Sequence, residues 1–261
     1  MIKAKKSLGQ NFLVDENVIK NITNIVDIKN KDVLEIGPGT GNLTSALLKK
    51  NPKKVIVIEK DDKLASLLKE KFKNQIIILN KDVLDINEKS LNKDKLIVFG
   101  NLPYNISTEI LCKWILNLKE NYWFDSLILM FQKEVADRII SKFNTKNYGR
   151  LSILSNWKLN IKKIFDVKPS CFSPRPKVDS SVLLFEPKRD FYKLNNSKNL
   201  EKITKIFFSQ RRKMIKKPYN LIFNGNLEIS QRLKIKLDLR PQNLDFETYY
   251  KLTSEYEKLR S

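Results

Sequence analysis

The sequence contains no histidine. In a chain of 261 residues that absence removes Ser-His and Cys-His nucleophilic pairs and imidazole-bound metals together. Any catalysis must run on carboxylates, amides, hydroxyls, amines or backbone groups. Cysteine is nearly as scarce: Cys112 and Cys171 stand apart, without a CxxC spacing. That excludes a disulfide framework and a zinc site, and leaves both as core or pocket-wall residues. No apolar run approaches the roughly 18 residues of a membrane span. The basic start Met1-Ile2-Lys3-Ala4-Lys5-Lys6 leads into Ser7-Leu8-Gly9-Gln10-Asn11 rather than an apolar signal segment. The expectation is a cytoplasmic protein with no metal and no membrane association. Acidic residues are also short, 29 against 50 Lys and Arg, for a formal charge of +21. A polyanion is the partner this suggests, RNA first. Lysine makes up 41 of the 50, so coding bias inflates the charge. Such bias does not by itself leave the acidic residues so far behind.

Short β-branched runs alternate with helical stretches from residue 33 to 131. Val33-Ile36, Val55-Ile58, Ile76-Leu79, Leu96-Phe99 and Leu127-Phe131 read as buried parallel strands. Leu43 to Lys50, Lys63 to Phe72 and Thr108 to Leu118 read as the helices between them, and Val18, Ile22, Ile25 and Val26 mark an earlier helix. The pattern is that of a doubly wound α/β sheet, whose ligands sit at the carboxyl ends of the strands. Gln132 to Phe143 reads as a further helix, with Leu151-Ser155 and Ser180-Leu184 as closing strands and a Pro-rich loop from Lys168 to Lys177. After Pro187 the composition turns more basic, with a net charge of +10 in residues 188 to 261 and helical spacing at Ile203, Ile206, Phe207, Leu233, Leu237, Tyr249 and Leu252. Two domains follow: a catalytic domain at 1–187, with a basic arm at 1–15 that folds over the ligand, and a small α-helical RNA-binding domain at 188–261.

The segment Glu35-Ile-Gly-Pro-Gly-Thr-Gly41 follows the first strand. Its glycines at 37, 39 and 41 match the E-x-G-x-G-x-G turn of S-adenosylmethionine (SAM) binding better than a dinucleotide G-x-G-x-x-G, and let the backbone approach a ligand closely. Glu59 ends the second strand, where a carboxylate can accept from ribose hydroxyls, and Asp82 follows the third, within reach of an adenine amine. With Glu35 they place three acids around one cleft, which suits a sulfonium cation. Asn101-Leu-Pro-Tyr104 ends the fourth strand. An exocyclic adenine amine is a poor nucleophile, because its lone pair is delocalised into the ring. The Asn101 side-chain oxygen and the Pro103 carbonyl can each accept one N–H and hold that nitrogen pyramidal, while Tyr104 stacks on the base. Phe172 is the natural second wall, with ordinary core as its alternative. The segment from Phe207 to Lys217 mixes aromatics with Arg211, Arg212 and Lys213 on an expected helix, either meeting RNA phosphates or merely solvated.

Taken with Lys6-Ser-Leu-Gly-Gln-Asn-Phe-Leu13, Phe172-Ser-Pro-Arg-Pro-Lys-Val178, Ser180 and Gln210-Arg-Arg-Lys213, these motifs make the chain resemble the rRNA adenine N6,N6-dimethyltransferases. Within them it resembles the bacterial KsgA (RsmA) type rather than the Erm resistance type. The resemblance spans nearly the whole chain. It implies a Rossmann-like class I SAM-dependent methyltransferase fold with a small helical C-terminal domain. It implies that Asn11 and Leu13 touch SAM from the arm, that Gly37, Glu59, Asp82 and Asn101 complete its site, and that Tyr104 and Phe172 sandwich the target adenine. It further implies dimethylation of two adjacent adenines in the 3′-terminal hairpin loop of 16S rRNA, on a 30S assembly intermediate, by a protein monomeric off the ribosome. The rivals are an Erm-type 23S rRNA methyltransferase, a non-catalytic assembly factor, and more remotely a DNA adenine methyltransferase.

Overall fold

The structure, a computed structural model, describes Lys5 and residues 9–260. The basic start up to Ala4 and Lys6-Ser-Leu8 of the arm motif lie outside the described residues. In chain order the elements are β1 (Phe12–Leu13), α1 (Glu16–Thr23), β2 (Asp32–Ile36), α2 (Asn42–Leu48), β3 (Lys54–Ile58), α3 (Asp62–Phe72), β4 (Ile77–Leu79), β5 (Leu96–Asn101) and α4 (Ser107–Asn117). There follow β6 (Phe124–Gln132), α5 (Lys133–Ile139), α6 (Arg150–Lys158), β7 (Leu159–Val167), β8 (Phe172–Ser173), β9 (Ser180–Pro187), α7 (Ser197–Phe207), α8 (Lys216–Phe223), α9 (Leu227–Arg232) and α10 (Phe246–Lys258). Seven strands form one sheet in the order β4-β3-β2-β5-β6-β9-β7, and β1 pairs separately with β8. The strands from β4 to β6 run parallel, while β9 joins β6 antiparallel.

All five residues of β2 are buried, as expected for a central parallel strand covered on both faces. From β2 the chain winds outward through β3 and β4, then returns to the other side of β2 as β5. That reversal opens a crevice at the carboxyl ends of β2 and β5, where Gly37 and Asn101 stand. Gly41 ends the glycine turn at φ +76°, and a Cβ there would lie 2.5 Å from Phe72 Cε2 and 2.9 Å from Leu68 Cδ2, both core side chains of α3. Gly41→Ala therefore meets a left-handed backbone penalty and an overpacked core together, and is expected to destabilise the fold by about 2 to 3 kcal/mol. A lower denaturant midpoint at unchanged slope checks this.

The chain divides into two compact units. One holds the described residues up to Lys113 with Lys119–Ala136 and Ile161–Pro187; the other holds Trp114–Leu118, Asp137–Asn160 and the chain from Lys188. The division is not the single cut expected at 187/188. Inside the second unit α6 and α10 both pack against α7, and Trp157, Phe207 and Tyr249 are buried, the last two rings meeting edge to face at 5.8 Å.

The structure differs from the local expectations at several points. Leu151-Ser155 lies in helix α6, not a strand: Ser152, Ile153, Leu154, Ser155 and Trp157 are all buried, so no polar face marks the helical period. β7, with Lys162 and Lys163 at the sheet edge, carries too much charge to show as a strand, although edge lysines are a common guard against aggregation. Finally, Phe207 to Lys217 is not one helix. After α7 the chain makes a short 3-10 turn at Phe208–Gln210 and an irregular segment before α8. Pro218 lacks the N–H that a continuous helix would bond to Met214, but is tolerated in the first turn of a new one. Leu233 only caps α9, and Leu237 lies in the irregular stretch beyond it.

Candidate active site

The crevice at the strand ends is a cavity of about 300 Å³. Glu35 and the turn Gly37–Thr40 reach it from β2, Glu59 and Lys60 from β3, Asp82 from the segment after β4, Asn101 to Ile106 from β5, and Gly9 to Leu13 from the arm. The glycine turn, the strand-end acids, the Asn101–Tyr104 segment and the arm thus converge on one space.

Its acids differ sharply in state. Glu35 is 1% exposed, and burial pushes its carboxyl up to about 8, opposed by the Thr44 hydroxyl that donates to Oε2 at 2.6 Å and reinforced by nearby Glu59. Glu59 is raised as well, by burial, although its oxygens accept the Asp61 N–H at 2.9 Å and the Gly39 N–H at 3.2 Å. Each carboxylate oxygen keeps a lone pair for a further donor such as a ribose hydroxyl. Asp82 sits below the usual carboxylate range because Lys60 Nζ donates to Oδ2 at 2.6 Å, while Oδ1 accepts the Leu84 N–H at 2.9 Å. The Lys60 pairing was not expected from sequence.

Asn101 donates from Nδ2 to the Asn11 carbonyl at 2.8 Å. That bond assigns the amide's orientation and leaves Oδ1 as an acceptor with both lone pairs. The Pro103 carbonyl takes the Ile106 N–H at 3.1 Å, which closes the turn and leaves its second lone pair. Tyr104 is held by a 2.5 Å bond between its hydroxyl and Ser180 Oγ, and burial raises its phenol above the ordinary value. It is a neutral phenol, which does not serve as a base.

Residues 9–13 of the arm line this cavity. The Leu13 carbonyl accepts from Asn42 Nδ2 at 2.9 Å, and Phe12 packs on Gly39 so closely that a Cβ there would lie 2.7 Å from its ring. Asp61 caps α3 through the Lys63 N–H at 2.9 Å and, with its other oxygen, receives Lys5 at 2.6 Å and Gln10 at 3.4 Å. Burial works against its charge, yet Lys5 and the capping N–H groups hold it below its ordinary value. Phe12 and Asp61 were missed in the sequence. The signal for Phe12 lay in the arm motif itself, and for Asp61 in its N-cap position before α3.

Phe172 is not brought to the cavity. It is 2% exposed, paired with Leu13 across the β1–β8 ribbon and packed into the core, so its core alternative holds here. Cys171 packs on the same core, and neither cysteine lines the cavity. Arg211, Arg212 and Lys213 belong to the other unit. Among the described residues no group of three or more His, Cys, Asp or Glu is placed to hold a metal ion, and no helix is long and apolar enough to cross a membrane.

The cavity fits SAM. Gly37 leaves its side open, the Asn101 carbonyl at 3.7 Å being the nearest atom to a Cβ there, and the acids Glu35, Glu59 and Asp82 surround a space suited to a cationic nucleoside. The model of the ribosomal RNA adenine dimethylase family matches residues 1–258. The "Ribosomal RNA small subunit methyltransferase A" of Pelagibacter ubique (strain HTCC1062) is 66% identical over 99% of both chains, and that of Ehrlichia ruminantium (strain Gardel) is 44% identical over 95% of both. Among solved structures, a dimethyladenosine transferase from Plasmodium falciparum is similar at TM-score 0.81 and 28% identity, covering 95% of this chain and 98% of its own. The fold is the Rossmann-like one of class I SAM-dependent methyltransferases, and the chain belongs to the ribosomal RNA adenine dimethylase family.

Proposed function

We propose that this protein dimethylates the exocyclic amines of two adjacent adenines in the 3′-terminal hairpin loop of 16S rRNA, with SAM as methyl donor. The observation that carries the reading is the fixed Asn101 amide: with Nδ2 spent on Asn11, Oδ1 is available at the strand end to accept an amine N–H. When bound, SAM supplies an electrophilic methyl on its sulfonium. Gly37, Gly39, Glu59, Asp82, Asn11 and Leu13 are the residues that would hold it. Asn101 Oδ1 and the Pro103 carbonyl each accept a hydrogen bond from one amine N–H and turn the nitrogen lone pair out of the ring plane; each methylated nitrogen then gives up one proton to solvent. Tyr104 aligns the base by stacking, worth about 1 to 3 kcal/mol. No strong base is called for, in keeping with a chain that has no histidine. After one methylation a single N–H remains, so one acceptor is vacated and the pocket must accommodate a methyl before the second transfer.

The family resemblance extends the reading to a 30S assembly intermediate as substrate and to a cytoplasmic protein monomeric off the ribosome. The test is transfer from labelled SAM to 30S subunits that lack the modification, with 50S subunits and naked 16S rRNA as parallel acceptors, followed by nucleoside analysis. Two methyls on each of two adenines of the 30S particle are expected. Label in 23S rRNA would overturn the substrate assignment, and SAM binding without transfer to any acceptor would overturn the catalytic one in favour of an assembly factor.

A further inference from the structure

Arg211 is spent inside its own unit. Its Nη2 donates to the main-chain carbonyls of Thr145, at 3.3 Å, and Lys146. Both belong to the loop between α5 and α6, which is tied at further points. Thr145 Oγ1 donates to the Lys142 carbonyl at 2.6 Å, the Asn144 N–H to the Gln242 carbonyl at 2.8 Å, and Asn243 Nδ2 to Asn144 Oδ1 at 2.8 Å. Asn144 itself holds φ +63°, a left-handed conformation that asparagine tolerates better than most residues. The Arg211 Nε–H is buried without a partner.

What this loop displays is Phe143, 46% exposed, with Lys142 and Lys146 exposed on either side. A lone surface Phe is ordinary. This one stands on a backbone fixed by its neighbours, and no acidic residue occurs from Ser141 to Gly149. Arg212 and Lys213, next along the chain from Arg211, are also exposed. We infer that the loop is a docking platform for an unpaired nucleotide of the rRNA, with Phe143 stacking on its base and Lys142 and Lys146 meeting the flanking phosphates. An aromatic between cations complements a nucleotide, which offers a π-face and a phosphate on each side. Arg211 is then a positioning residue for the platform and not a phosphate contact. The inference rests on the rRNA-substrate reading above and adds the surface that reading did not supply.

The test measures binding of the full chain to unmodified 30S subunits over a range of salt, with SAM binding as a control for folding. Phe143→Ala is expected to weaken 30S binding roughly 5- to 100-fold with little change in salt slope. Phe143→Trp keeps the stack and is expected to restore binding. Replacing Lys142 and Lys146 together by Ala is expected to lower the slope of log affinity against log salt by about one to two units. Wild-type affinity in Phe143→Ala, or an unchanged slope in the double lysine variant, would overturn the platform. No 30S binding by the wild-type chain would overturn the substrate reading instead, and the inference with it.

Discussion

Asn101→Ala is expected to slow methyl transfer by roughly 100- to 1,000-fold, the scale set by removing one fixed hydrogen-bonding group from a reacting centre. Binding of 30S subunits should be nearly unchanged. The split follows from geometry. The Asn101 side chain, which lines the cavity, spends its donor on the Asn11 carbonyl, so its oxygen is left free to accept without reorganising. Its role is exerted on the amine as charge builds on nitrogen, which places the loss in turnover rather than affinity. Asn101→Asp separates the two halves of the argument. It retains an acceptor but loses the N–H to Asn11 and sets a carboxylate against that carbonyl, so orientation fails although size is kept. Single-turnover rates at saturating SAM measure both variants. An alanine variant at the wild-type rate would remove Asn101 from the chemistry, and an aspartate variant at that rate would show that the tie to the arm is dispensable.

The strands and glycine turn were legible because each has a local cause. β2, β3 and β5 are apolar runs that end at Gly37, Glu59 and Asn101, and a parallel sheet places all such ends on one edge. Once the edge is inferred, Glu35, Glu59, Asp82 and Asn101 must share a cleft. What escaped was decided by partners far along the chain. α6 is buried on every face, so its period is invisible; Phe172 turns inward because β8 pairs with β1; Arg211 looks like a phosphate contact until the loop at 145–146 claims it. Lys60 is a similar case, since only the fold brings it to Asp82 and ties up an oxygen that sequence spacing leaves free. The pattern reports where an element lies more readily than what each side chain touches.

Glu35→Gln is expected to change how stability depends on pH, by several kcal/mol at the alkaline end. Burial raises the Glu35 carboxyl from its ordinary 4.5 to about 8. Between those values the folded protein holds a proton that the unfolded chain has lost, so stability falls as pH rises, by at most about 1.4 kcal/mol per unit, and levels off above 8. Asp61 and Asp82 act in the opposite sense. Their carboxyls are lowered in the fold, so their contribution is present at neutral pH and is lost as pH drops through the acid range. The wild-type protein without SAM should therefore be most stable in mildly acidic solution. Glutamine cannot ionise and still offers an acceptor to Thr44, so its advantage over wild type should grow from little near pH 5 to its full value above pH 8. Denaturant unfolding across that range checks this, and parallel profiles for the two proteins would mean that Glu35 is ionised in the fold at neutral pH. The same burial bears on the ligand. A cation in the cavity favours the ionised carboxylate, so wild-type affinity for SAM should gain from rising pH up to about 8, a gain the Gln variant lacks. Stability lost by the empty fold at alkaline pH is then offset in part by the stronger hold on the cation expected there.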